Sequence, residues 1–287
     1  MAGSAMRSML QAVLACLSMA GSTACWAFAG GEPVQAPTTR QAWAFGDTPV
    51  WRDEFDYTGK PDPAKWGYDI GGKGWGNHEL QYYTDQLGNA FVEDGVLAIV
   101  ARRFRKAGNT TYTSARLVSR GKGDFRYGRI EFRARLPVGR GTWAALWMLP
   151  TGKHYGGWPR SGEIDIMEHV GYDPGQVHVT VHTQAYNHRI KTQRGKQATV
   201  ADASTRFHLY RVDWTPDAIR GYIDDAPVFE FANEGTGPDA WPFDQPFHLL
   251  MNLAVGGDWG GAEGVDEKAF PAWMEVDYVR VYPLLEH

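Results

Sequence analysis

The segment Arg129-Ile130-Glu131-Phe132-Arg133-Ala134-Arg135-Leu136 alternates charged and apolar side chains, with every apolar residue on an even number. A period of two is what a strand with one buried and one wet face requires. Phe207 to Trp214 reads as a second strand, closed by the turn Thr215-Pro216-Asp217. Ala218 to Phe231 reads as a hairpin turning at Asp224-Asp225-Ala226-Pro227, and Met274 to Tyr282 as a final strand. No convincing amphipathic helix follows the N-terminal segment. Many short strands separated by Gly- and Pro-rich turns predict an all-β fold, a sandwich or jelly roll.

One segment breaks the alternation. In Gly162-Glu163-Ile164-Asp165-Ile166-Met167-Glu168-His169, Glu163 and Asp165 share one face of a strand and Ile164 and Ile166 the other. An unbroken strand would send Glu168 to the apolar side, where an unpaired carboxylate is costly. A β-bulge at Ile166-Met167 resolves the conflict by returning Glu168 to the acidic face. His169 then points away from that face.

The chain ends change the picture more than the bulk composition does. Arg7, the apolar stretch from Met9 to Ala20, and Ala27-Phe28-Ala29 have the layout of an export signal over residues 1–29. The protein is therefore expected to be secreted or periplasmic. Ser22-Thr23-Ala24-Cys25 resembles a lipoprotein box with Ser22 where Leu is expected, so lipid anchoring at Cys25 stays open as the alternative. Cys16 and Cys25 both lie in this segment, and cleavage after Ala29 leaves no cysteine for a disulfide. Residues 30–46 read as a linker, and 47–285 as one catalytic domain of uniform texture.

The net charge of -4 over 287 residues gives no basic field for nucleic acid. No apolar run approaches the roughly 20 residues of a membrane span. Twelve tryptophans among 34 glycines suggest aromatic platforms between tight turns. Trp143, Trp147 and Trp158 precede the acidic strand, and His182 and the Trp259 loop follow it. Paired carboxylates flanked by indole faces are what a sugar cleft needs. A retaining glycosidase requires a nucleophile and a protonated acid about 5–5.5 Å apart. Two Glu side chains leaning inward across four strand steps, roughly 13 Å between Cα atoms, can approach that. Asp165 between them can share a proton with one and raise the pKa of the other by its charge. His178 and His182, four apart without supporting ligands, are not read as a zinc site.

The segment Gly162 to Glu168 resembles the signature of glycoside hydrolase family 16, with the bulged E-x-D-x-x-E spacing of its laminarinase-like branch. Gly74 to Tyr83, Ser114 to Leu117, Tyr127 to Glu131, Asn252 to Gly257 and Val276 to Tyr282 resemble further family segments in family order. The resemblance implies a β-jelly roll of two stacked antiparallel sheets, concanavalin-like, with a substrate cleft on the concave sheet. It implies endo-acting, retaining hydrolysis of β-1,3-glucan, extending to mixed β-1,3/1,4-glucan. By position, Glu163 is the nucleophile, Asp165 its assistant and Glu168 the acid/base. Asn77, Arg116, Trp143, Trp147, Trp158 and His182 are the matching sugar contacts. No cofactor is expected for catalysis. A structural Ca²⁺ is implied at Glu54, the Gly95 carbonyl and Asp277. Asp277 there shares a face with Val279 and Val281, and an acid among apolar neighbours suits a hard cation. A monomer acting on β-glucan is expected. A lectin-like binding module is the alternative from another class, and a transglycosylase the alternative among enzymes. A lectin has no need of the acid triad.

Overall fold

The computed structural model describes residues 43–285. The export-signal reading, both cysteines and most of the 30–46 segment lie outside the described residues. Residues 43–46, read as linker, belong to the folded domain. Phe45 bridges Leu284, Gly46 N–H donates to the Pro283 carbonyl at 2.9 Å, and the Trp43 indole donates to Asp217 Oδ2 at 2.7 Å. A polar, Pro-rich texture concealed two aromatic anchors.

Two sheets carry the fold. In one, the order runs Ala226–Ala232, Ala218–Ile223, His208–Trp214, Gly128–Arg135, Ala272–Tyr282, Val96–Lys106, Asn109–Ser114, Gln81–Tyr83, with Trp51–Asp53 and Ala90–Glu93 attached at the side. In the other it runs Arg194–Thr199, Gln176–His182, Glu163–Val170, Thr142–Pro150, Phe247–Val255, Arg116–Val118, Gly67–Tyr68, with Asp124–Phe125 attached. Every pairing is antiparallel except that of Gln81–Tyr83 with Asn109–Ser114. Among the described residues, helical structure is confined to 3₁₀ turns. Asp224 and Asp225 both take positive φ in the tight hairpin turn expected at that point.

The inner faces meet in one core. Ile130, Phe132 and Ala134 supply it from the first sheet, and Leu146, Met148, Ile164 and Ile166 from the second. Strict alternation then sorts the second sheet. Ala144, Leu146 and Met148 enter the core, while Trp143, Ala145, Trp147 and Leu149 line a cleft on the opposite face. Val177, Val179 and Val181 enter the core, while His178, Thr180 and His182 face the cleft. The cleft floor is thus the wet side of a sheet whose dry side is fixed by packing.

The last strand departs from the alternation expected of it. The register against Gly128–Arg135 shifts between Val276 and Tyr278, leaving Asp277 as the extra residue. The bulge puts Met274, Val276, Val279 and Val281 all in the core and turns Asp277 out of it. Asp277 is therefore not an acid among apolar neighbours.

Candidate active site

The acidic strand, Glu163–Val170, lies between Thr142–Pro150 and Gln176–His182. Gly162, at φ 86°, leads into it; a Cβ there would come within 2.9 Å of Phe243 Cε1 and Pro242 Cγ, so only glycine fits this close approach. The expected bulge is present. On one side Trp147 pairs with Asp165 and Leu146 with Met167, leaving Ile166 over. On the other, Asp165 opposes Thr180 and Glu168 opposes His178, so two residues face one. Ile164, Ile166 and Met167 are all fully buried, and Glu163, Asp165 and Glu168 all face the cleft.

The cleft has two lobes, about 360 and 480 Å³. Glu163, Glu168, Asn77, Trp143 and His188 line both. The acid pair therefore stands at the junction, with room for chain on either side. Each glutamate is held by one indole. Trp158 Nε1 donates to Glu163 Oε2 at 2.7 Å, and Trp143 Nε1 donates to Glu168 Oε1 at 3.1 Å.

Burial and crowding divide the roles of the acids. Asp165 is buried, and its Oδ2 has no hydrogen-bond donor; His182 Nε2 stands 3.4 Å away. An ionised carboxylate in that position would be costly. Burial, then the charges of Glu163 and Glu168, push its pKa well above the usual range, which favours the protonated form that can donate to Glu163. Burial raises Glu163 to about 7, opposed by the Trp158 and Asp165 hydrogen bonds and the charge of Arg116. Those donors favour its ionised form. Burial and then the charge of Glu163 push Glu168 up to about 8, against the Trp143 hydrogen bond. The charge that lifts Glu168 is thus that of Glu163, not of Asp165 as expected. Burial, with His188 nearby, lowers His182 to about 4, so its ring is neutral.

The walls gather the remaining expected residues. The Arg116 guanidinium lies between the rings of Trp75 and Trp147, 4.9 and 4.7 Å from their centroids, and its Nε donates to Asp69 Oδ2 at 3.1 Å. Asn77 Nδ2 donates to Glu79 Oε1 at 3.2 Å. Trp147 Nε1 donates to Asn252 Oδ1 at 2.7 Å, and Asn252 Nδ2 to the Tyr83 hydroxyl at 3.1 Å. Asn77, Arg116, Trp143, Trp147, Trp158 and His182 all line the cleft. His169 is fully buried and accepts from Gly175 N–H at 3.2 Å, away from the chemistry.

Several cleft residues escaped the sequence reading, Glu79, Asn252, His188 and Arg189 among them. Glu79 and Asn252 lie in family-like segments without being singled out; a half-buried acid bonded to Asn77, Gln81 and Tyr83 marks the first. His188 and Arg189 come from the 183–193 loop, which carries no period or motif. Arg189 lies 4.6 Å over the Trp158 ring and His188 5.0 Å from it.

The three calcium positions lie on the other sheet and its turns. Both Glu54 oxygens accept from Arg280, at 2.9 and 2.8 Å, and Arg280 holds the Glu54 pKa below its ordinary value. Asp277 pairs with Arg133. Gly95, at φ 78°, occupies the turn before Val96–Lys106. Glu54 and Asp277 are thus each engaged by an arginine in this structure.

The sequence profile described as glycosyl hydrolases family 16 matches residues 75–280. A protein of Rhodothermus marinus named beta-glucanase is 60% identical over 245 residues, covering 83% of this chain and 85% of its own. The crystal structure of a laminarinase from Rhodothermus marinus superposes with a TM-score of 0.81 at 57% identity, covering 86% of this chain and all of that one. A further crystal structure, of the non-specific endo-β-1,3(4)-glucanase SCLam, gives a TM-score of 0.78 at 46% identity over 84% of this chain and 93% of that one. The chain belongs to family 16 of the glycosyl hydrolases.

Proposed function

We propose that the protein is an endo-acting, retaining hydrolase of β-1,3-glucan that also accepts mixed β-1,3/1,4-glucan. The observation that carries this reading is the bulge. It sets Glu163, Asp165 and Glu168 together on the floor of a cleft that continues on both sides of them. An interior bond of a long chain can lie across such a junction, whereas a pocket closed at one lobe would favour chain ends.

In this mechanism Glu163 attacks the anomeric carbon and Glu168 protonates the departing glycosidic oxygen. Water then enters from the vacated face, deprotonated by Glu168, and displaces Glu163 with net retention. Asp165 keeps its proton on the Glu163 side, which stabilises the nucleophile's charge before attack. Trp158 and Trp143 hold the two carboxylates in place and offer ring surface to sugar. The 1–29 segment fits the same reading, since polymeric glucan must be met outside the cytoplasm.

The deciding experiment offers purified protein laminarin, lichenan, xyloglucan and agarose in parallel and identifies products by chromatography and early-time NMR. Internal cleavage of laminarin with a β-anomer released first supports the reading. Release of the α-anomer first, or hydrolysis confined to agarose or xyloglucan, overturns it.

A further inference from the structure

Glu163, Asp165 and His182 each offer one ligand atom, and these atoms all lie within 4.8 Å of one another. Among the described residues no other trio of acidic, His or Cys side chains comes this close. Asp165 Oδ2 and His182 Nε2 are 3.4 Å apart. Ligand bonds of about 2.0–2.2 Å place two ligands of a tetrahedral ion roughly 3.3 Å apart, so this pair already stands at the edge length of such a site. The pair is held by backbone register, because Glu163 opposes His182 and Asp165 opposes Thr180 across adjacent strands.

Two buried side chains reinforce the point. Asp165 and His182 are 3% and 8% exposed at the side chain. Asp165 Oδ2, which faces His182 Nε2, has no hydrogen-bond partner. Trp158 donates to Glu163 Oε2, and Glu163 lines the cleft. The fourth position opens into the cleft, where water or a sugar hydroxyl can complete the coordination.

We propose that Glu163, Asp165 and His182 bind a first-row transition-metal ion, Zn²⁺ or Cu²⁺ in class, and that the bound ion blocks catalysis. One imidazole and two carboxylates suit these ions; an all-oxygen preference excludes Ca²⁺ and Mg²⁺ from the same set. The ion takes the space in which Asp165 and Glu163 share a proton and engages the lone pair that Glu163 needs for attack. It therefore competes with glucan. The binding half stands on geometry alone; the inhibition half rests on the hydrolase reading above.

The test uses the purified chain with ZnCl₂ as probe, measured by titration calorimetry and separately by laminarin hydrolysis. One ion is expected to bind, with inhibition that raised laminarin relieves and EDTA reverses, and CaCl₂ is expected to do neither. His182→Gln should weaken Zn²⁺ binding on the order of 10–100-fold. His182→Cys should restore binding, since thiolate is a zinc ligand; a ring needed only for packing would not be replaced this way. His154→Gln, an exposed histidine outside the cleft, should leave Zn²⁺ affinity unchanged. Equal Zn²⁺ affinity in His182→Gln and the parent, or binding lost in His154→Gln, overturns the site. Zn²⁺ binding that responds to His182 but leaves laminarin hydrolysis intact overturns the inhibition while the site stands. A chain that binds Zn²⁺ through His182 yet hydrolyses none of the glucans tested would instead count against the hydrolase reading.

Discussion

Trp158 donates its indole N–H to Glu163 at 2.7 Å while its ring lies under the Arg189 guanidinium at 4.6 Å. The contact favours ionised Glu163, the proposed nucleophile, and Trp158→Phe removes it while keeping an aromatic ring. A hydrogen bond to a charged group contributes about 1.5–3 kcal/mol, so kcat/KM on laminarin should fall roughly 10–100-fold. Losing the donor raises the Glu163 pKa, and the acidic limb of the pH profile should move upward. An unchanged acidic limb would show that the indole serves only as a platform.

The two glutamates should separate chemically. Glu163→Gln should lose nearly all turnover with the fold intact, because an amide forms no covalent intermediate. Glu168→Ala should lose on the order of 10²–10⁴-fold on natural glucan, the contribution of general acid–base catalysis. It should still react with an aryl glycoside, whose phenolate leaves unaided, and added azide should give a β-glycosyl azide. The same product from Glu163→Ala would reverse the assignment.

The pH dependence follows from the direction of the shifts. Glu168 is raised to about 8 and must be protonated to begin turnover, so hydrolysis should decline as pH rises through about 8. Stability runs in the same direction. Asp165 and Glu168 have folded-state values above their unfolded ones, so their contribution is fully present below about 4 and is lost as pH rises toward the folded values. Asp165→Asn removes one such group and should raise Tm at pH 8 but not at pH 4. At this chain length each kcal/mol gained corresponds to roughly 2–4 °C. A Tm gain equal at both pH values would point to packing instead.

The bulge can be tested by deletion. Removing Met167 restores simple alternation and keeps all three carboxylates on the cleft face, with the third one step nearer. The fully buried Met167 side chain is lost from the core, at a cost of about 2–5 kcal/mol. The variant should fold with a lowered Tm and retain measurable hydrolysis. A folded variant with none would show that the bulge sets the carboxylate separation as well as the phase.

The catalytic strand was legible because two physical demands collided in it: the acids at 163, 165 and 168 could not share a face without an extra residue. The last strand held a conflict too, Asp277 on the face of Val279 and Val281, but a cation could relieve it as well as a bulge could, and the structure relieves it by a bulge. The sandwich followed from alternation in segments such as 129–136, where burial agrees at Ile130, Phe132, Ala134 and Leu136. His188 and Arg189 reach the cleft by loop geometry that hydrophobic periodicity does not encode. Trp43 and Phe45 were hidden for a related reason: single aromatic anchors in polar chain have no period.

The pairing of one indole with each of Glu163 and Glu168 makes mutations in this cleft pleiotropic. A substitution at Trp143 or Trp158 selected to admit a different sugar also changes the proton affinity of the acid that the indole holds. Changes in taste and changes in working pH are therefore genetically linked at these two positions. Trp147 touches neither acid by its N–H, which goes to the neutral Asn252, and is linked to Glu163 only through the Arg116 guanidinium stacked on its ring. Lineages shifting glucan preference at constant pH have their freest route through Trp147 and its surroundings.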